Sequence, residues 1–177
     1  MTRAEVAIAA AALILAPLFK AFEFVLLPVL YRPDFLLALA VAVGWSSDLW
    51  TAATAGFTLG LLEDLFAGRA LGTRALSMAL AAVTSSFVKR LINPDSVLSK
   101  VIAAMVSAAL ADAASFAILR ARGIEVGLIY FVRWIWPVSV GWSAVLVLPV
   151  GSITHRLARI LSRLWPSEGK QGREAAG

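Results

Sequence analysis

The stretch from Gly56 to Met78, GFTLGLLEDLFAGRALGTRALSM, constrains the fold more than any other part of the chain. It is apolar enough to lie in a bilayer, yet it contains two carboxylates and two arginines. Gly56, Gly60 and Asp64 recur every four residues, so they share one face of a helix. Small residues at this spacing allow helices to approach closely in lipid, and a charge on the same face points to protein or water. Breaks follow at two further glycines, so the stretch predicts a helix, a short turn and a second helix.

The composition is that of a membrane protein. Of the 177 residues, 60% are hydrophobic and 15% are charged, and the mean hydropathy is +0.85. A soluble domain is about half apolar and about a quarter charged. The net charge of +5 would also suit nucleic acid, but in so apolar a chain basic residues are typical of the flanks of membrane spans. The chain contains no cysteine, which excludes disulfides and thiolate metal sites.

Polar breaks divide the apolar sequence into about six segments, and a spanning helix needs roughly 20 residues. We therefore predict an all-α fold: one polytopic membrane domain over residues 1–165, followed by a disordered cytoplasmic tail at 166–177. The second to fourth spans are expected to form the compact centre of the bundle, with the two glycines at a helix–helix contact. The predicted spans are residues 5–30, 35–50, 51–66, 71–88, 97–119 and 126–150.

Residues 152–165, SITHRLARILSRLW, form the last predicted element. Apolar residues recur on one face and basic residues on the other, which is typical of an amphipathic helix on a membrane surface. The alternative is a straight extension of the sixth span, because no proline or glycine lies between Ser152 and Trp165. The arginines expected to face the lipid phosphates are Arg156, Arg159 and Arg163.

The distribution of basic residues predicts that both termini are cytoplasmic. This orientation places Arg3, Lys89, Arg90, Lys100 and the basic residues of the C-terminal segment on one side. An excess of lysine and arginine marks the cytoplasmic side of membrane proteins.

Charged residues within apolar segments are the candidates for a functional site, because each must be paired or reach water. Asp64 is expected to act as a clasp or to stabilise the turn, with ligand contact as the alternative. Asp112 lies deep in the fifth span, where a functional and a structural role are both open, and Arg133 is its first candidate partner. Arg32 and Arg74, each at the start of a span, complete the set of predicted buried charges.

The sequence contains no arrangement of residues that predicts an enzyme. His155 is the single histidine and lies in the basic C-terminal segment, so a histidine metal site or proton relay is not expected. The chain has no phosphate-binding loop, dinucleotide fingerprint or G-x-S-x-G elbow. Glu63 and Asp64 are adjacent carboxylates, but neighbouring residues point about 100° apart on a helix and converge poorly on one substrate.

Several of these motifs, in this order, resemble the rod shape-determining protein MreD family. The resemblance covers residues 32–163 and begins with Arg32 and Pro33, which open the second span. The Gly-x-x-x-Gly-x-x-x-Asp run follows, then a Leu-Gly-x-Arg turn containing Gly72 and Arg74. A Trp-Pro pair in the sixth span and the basic end also fit. Glu63 departs from the pattern, since an apolar residue is more ordinary there, and it leaves open which carboxylate faces inward.

The resemblance implies a non-catalytic protein of the bacterial inner membrane. Its expected partner is MreC, a single-span periplasmic protein, within the complex of filaments, glycosyltransferase and transpeptidase that builds lateral peptidoglycan. It implies no cofactor, metal or nucleic acid, and lipids as surroundings. The family's bundle is similar to the substrate-binding subunits of energy-coupling-factor transporters, so the competing hypothesis is a small-molecule-binding module with Asp64, Asp112 and Arg133 lining a cavity. An Ala/Leu core would favour the scaffold, and an open pocket lined by aromatic and polar groups would favour the ligand.

Overall fold

The chain folds into helices packed around a short central one. A computed structural model describes residues 3–26, 34–67, 71–92, 96–124 and 127–164, which contain six helices of 12 to 29 residues and no strand. The predicted all-α class is therefore confirmed for these residues. The helices are α1 (Arg3–Leu26), α2 (Phe35–Ser46), α3 (Leu49–Ala67), α4 (Thr73–Leu91), α5 (Val97–Ala121), the single turn α6 (Leu128–Tyr130) and α7 (Trp136–Leu164), with a π-helical turn at Phe131–Ile135.

The central helix is α2, and α1, α3, α4, α5 and α7 all contact it. Its sequence, FLLALAVAVGWS, is apolar all round, which is typical of a helix buried on every side. Every residue from Phe35 to Gly44 is buried accordingly. The surrounding core is built largely of alanine, leucine and valine.

Both ends of α2 are capped by side chains, as a buried helix end requires. At the start, Asp34 is the N-cap and its Oδ1 accepts a hydrogen bond from the Leu37 amide at 2.9 Å. At the finish, the carbonyl of Ser47 accepts from the Ser86 hydroxyl at 3.3 Å and from the Lys89 ammonium at 3.1 Å, both on α4. Partial burial there lowers the pKa of Lys89. The α2 backbone is thus tied at both ends to polar groups.

The closest helix packing lies between α4 and the pair α2 and α3. A Cβ added at Gly56 would lie 2.6 Å from the Met78 carbonyl oxygen, and one added at Gly60 would lie 2.6 Å from the Ala75 Cα. Gly44 on α2 approaches the Ala82 backbone in the same way. Real Cβ atoms do not approach backbone this closely, so these helices meet only because the three positions are glycine. This agrees with the predicted central position of the second to fourth spans and with the predicted glycine contact.

Some predicted boundaries are wrong. The break after α2 falls at Ser47-Asp48 and not after Trp50, because Asp48 is the N-terminal cap of α3: its Oδ1 accepts from the Thr51 amide at 3.1 Å. Trp50 therefore belongs to the first turn of α3, where it is 78% exposed.

The C-terminal segment is also not a separate surface helix. From Trp136, α7 runs unbroken through Pro149 to Leu164. Thr154 and Ala158 are buried, and Leu157 packs against the core. The alternative, a direct extension of the preceding helix, is what the structure contains, because four-residue spacing continues the inward face of α7 past residue 150.

Two helical stretches among the described residues are long and apolar enough to cross a membrane by length and composition. They are Val97–Ala121 and Phe131–Ile160. The central helix Phe35–Ser46 is apolar but shorter, and at about 1.5 Å per residue it is roughly 18 Å long. The predicted spans therefore differ in length and burial.

Candidate functional site: a buried charge cluster

A cluster of charged side chains lies at the end of the bundle where α2 and α4 begin and α3 ends. Its members come from five helices and lie up to about ninety positions apart in the sequence. They are Lys20 of α1, Asp34 at the start of α2, Glu63 and Asp64 of α3, Arg74 of α4 and Asp112 of α5.

Asp64 binds the backbone at the start of α4. Its carboxylate accepts hydrogen bonds from the amides of Gly72 at 2.7 Å, Arg74 at 3.2 Å and Ala75 at 3.3 Å. The first turn of a helix presents unpaired N–H groups and a partial positive charge, so a carboxylate there is favourable. The residue is 1% exposed, and its oxygens are engaged by the turn rather than by a cavity.

Gly72 makes this capped turn possible. It has φ = +96°, the left-handed region that an L side chain rarely adopts. No atom lies within 4 Å of an added Cβ, so backbone conformation and not space requires glycine. Gly72 therefore serves the predicted turn rather than helix packing.

Arg74 is the centre of the cluster. Its guanidinium pairs with Asp34, with Glu63 Oε1 at 3.2 Å, and with Asp112 Oδ1 at 3.9 Å. The side chain is 17% exposed. The planar group presents five N–H donors, so one arginine can bridge carboxylates from three helices. Because Asp34 also caps α2, Arg74 ties α4 directly to the central helix.

Glu63 and Asp64 both face the interior, so neither carboxylate takes the inward position alone. Both are buried, but they act differently: Glu63 pairs with Arg74 and with Lys20 Nζ at 3.6 Å, whereas Asp64 binds backbone amides. Among the described residues, Glu63 Oε2 and Asp112 Oδ2 accept no hydrogen bond.

The predicted partner of Asp112 is wrong. Arg133 lies in the π-helical turn before α7, where its side chain is exposed, and Arg74 faces Asp112 instead. A single helical turn at Leu128–Tyr130 and a π-helical turn precede α7. Because a π-helical turn contains more residues than an α-helical turn, position 133 lies on a different face from the one a continuous α-helix would give it. Arg133 is thus not a buried charge, and Arg32 lies outside the described residues.

Sequence reasoning missed Asp34 and Lys20 as members of this cluster. Asp34 directly precedes an apolar helix, a position typical of a helix cap. Nothing in the local sequence links it to Arg74, which is 40 positions away. The link depends on the packing of α4 across α2.

The opposite end of the bundle is basic and open. A cavity of about 360 Å³ lies where α2 finishes, between α2, α4, α5 and α7. Lys100, His155, Arg156 and Arg159 line it. The predicted membrane-surface residues Arg156 and Arg159 therefore lie at a pocket in the bundle, while the side chain of Arg163 lies outside the described residues.

Comparison with protein-family models, with curated proteins and with solved structures found no match to this chain.

Proposed function

We propose that this protein is a non-catalytic scaffold of the bacterial inner membrane, a member of the rod-shape complex that builds lateral peptidoglycan. In this proposal it binds an MreC-type single-span protein and, through it, the elongation glycosyltransferase and transpeptidase. The resemblance of residues 32–163 to the MreD family motivates the identity of the complex. The termini would both lie in the cytoplasm.

The Arg74 cluster is the observation that carries the scaffold role. The acidic residues that a ligand module would offer to a substrate are engaged internally instead: Asp64 caps α4, and Asp112 faces Arg74. Arg133, the basic residue that the ligand module would also require, is exposed in the π-helical turn before α7. A cluster that ties helices to one another supports a rigid framework better than a substrate cavity.

The outer faces of the helices support a membrane location. Large apolar side chains are exposed along α3, α4 and α5, including Phe57, Leu80 and Leu110. Exposed apolar surface on several helices favours contact with lipid or with another protein. Two helices have the length and apolar composition of a span, and the remaining helices would pack against them within the bilayer.

The core composition favours the scaffold over the small-molecule module. The buried interior around α2 is made largely of alanine, leucine and valine, which pack tightly. The cavity at the basic end favours a ligand, and its basic and apolar lining suits a lipid.

Affinity purification in mild detergent tests this function. We expect an MreC-type protein to co-purify with the tagged chain and to be identified by mass spectrometry. A matched variant, Gly60→Leu, should lose the partner because it separates α3 from α4, whereas Gly141→Leu, which has no atom near the added Cβ, should keep it. A folded wild-type chain that recovers no elongation protein, or a Gly60→Leu variant that recovers it fully, would refute the proposal.

A further inference from the structure

The basic cavity has a graded lining along one stripe of α7. Its α7 residues recur in steps of about four: Val147 and Leu148 first, then Gly151 and Ser152, then the basic group. The stripe from residue 147 to 159 is about 18 Å long at roughly 1.5 Å per residue. It changes from apolar, through small, to positively charged.

The polar end of the cavity concentrates positive charge on two helices. The charged side chains are Lys100 from the first turn of α5 and Arg156 and Arg159 from the last turns of α7. His155 belongs to the same lining, but burial lowers its pKa and it adds hydrogen-bonding capacity rather than charge. Among the described residues, the lining contains no aspartate or glutamate. Guanidinium and ammonium groups gathered without carboxylates form a site for an anion, and phosphate matches the arginine fork well.

Hydrogen bonding fixes the position of His155. The Ser46 hydroxyl donates its one proton to the Ala42 carbonyl at 2.8 Å, so it accepts from His155 Nε2 at 2.9 Å. This places a proton on Nε2 and anchors the ring to the end of α2. The ring is therefore a built wall of the cavity rather than a loose surface side chain.

The apolar end of the cavity indicates an amphiphile rather than a free ion. Val41 and Trp45 of α2 line the cavity together with Val147 and Leu148 of α7. This half of the lining offers no favourable contact to a phosphate ion. The first methylenes of an acyl chain would be buried there, and their removal from water is favourable. Its volume, about 360 Å³, suits a headgroup and the first part of a chain rather than a whole lipid.

We propose that this cavity binds the phosphate group of an anionic phospholipid, with the acyl chain along Val147 and Leu148. Basic pockets between helices at the cytoplasmic side of a membrane protein bind such headgroups. The site rests on the proposed membrane location but not on the proposed partner. It would set the depth of the basic end of the bundle at the inner leaflet.

The test uses the full chain in mild detergent, with thermal unfolding followed by helical circular dichroism. Phosphatidylglycerol, phosphatidylcholine and inorganic phosphate are titrated separately. We expect phosphatidylglycerol to raise the unfolding temperature and the other two to have little effect. Inorganic phosphate that acts as strongly as phosphatidylglycerol at equal concentration would overturn the lipid assignment, and so would phosphatidylcholine.

Two double variants separate the cavity from general surface charge. Arg156→Gln with Arg159→Gln removes two charges from the cavity, while Arg90→Gln with Arg120→Gln removes two exposed charges outside it. Each basic residue beside an anionic lipid contributes about fivefold in affinity, so the cavity pair should weaken phosphatidylglycerol binding by about 25-fold. The control pair should change it by less than about threefold. Equal weakening in both pairs, with both variants folded, would overturn the site.

A third variant probes the apolar half. Leu148→Ser should weaken phosphatidylglycerol binding and leave any weak response to inorganic phosphate unchanged. An unchanged lipid affinity would show that no acyl chain lies along α7. Loss of partner co-purification without loss of lipid binding would refute the scaffold function alone, so the two proposals fail separately.

Discussion

Both ends of the bundle place charged side chains beside an apolar core, but only one end pairs acidic with basic groups. At the Arg74 end, four carboxylates and two cations from five helices pair with one another or with backbone. At the basic end, four basic side chains line an open cavity with no carboxylate among them. The central helix α2 joins the two ends, with Asp34 at its start and Ser46 at its finish.

The two ends therefore differ in role: the charges of one hold helices together, and those of the other line a cavity. A buried charge stripped of its partner is costly, so the Arg74 end should control stability. Exposed charges contribute little to stability, so the basic end should control binding. Four substitutions test this division, in order of decreasing expected loss of stability.

Arg74→Met should destabilise the protein most, by about 3 to 5 kcal/mol. It leaves Asp34, Glu63 and Asp112 without their common cation in a mostly buried site. Equilibrium unfolding in mixed micelles, followed by circular dichroism, gives the free energy. Adding Glu63→Gln and Asp112→Asn to this variant should recover part of the loss, because it removes charges left unpaired. A stability within about 0.5 kcal/mol of wild type would show that the cluster does not hold the fold.

Gly60→Leu should destabilise by about 3 kcal/mol or more, because the side chain must displace the backbone of α4. The matched control is Gly141→Leu on α7, where no atom lies within 4 Å of the added Cβ. The same unfolding measurement applies to both. Equal stability of the two variants would mean that α3 and α4 can separate at no cost.

Asp64→Asn should destabilise by about 2 kcal/mol, since the neutral amide loses the charge that three backbone N–H groups and the helix end stabilise. Asp48→Asn is the control, because Asp48 caps α3 through a single amide at 3.1 Å. The control should lose less stability. If Asp48→Asn lost more stability than Asp64→Asn, the conclusion that the Arg74 end stabilises the fold would be wrong.

Arg156→Gln should have the smallest effect, within about 0.5 kcal/mol of wild type, because its side chain is exposed at the basic end. Its thermal unfolding should match wild type without lipid and differ from it when phosphatidylglycerol is present. A large loss of stability without lipid would show that the basic end also holds the fold.

The sequence alone determined the features that depend on local spacing. Helical periodicity and polar breaks placed the helices to within a few residues, because caps such as Asp48 and Ser96 lie where the apolar runs are interrupted. The four-residue spacing of Gly56 and Gly60 indicated a close helix contact, because a repeat of four keeps one face of a helix in register. The turn role of Asp64 was likewise within reach, since it lies only eight residues before Gly72.

Tertiary structure alone decided which charges meet. Arg133 was the first candidate partner of Asp112 because it lies on the neighbouring predicted span, but Arg133 is exposed in a π-helical turn and Arg74 of α4 faces Asp112. The amphipathic pattern of residues 152–165 was equally ambiguous, because a basic helix can lie on a membrane or continue a buried one. Packing of Thr154 and Ala158 into the bundle chose the second and created the basic cavity. Long-range pairs depend on the rotation and crossing of whole helices, and no local pattern encodes these.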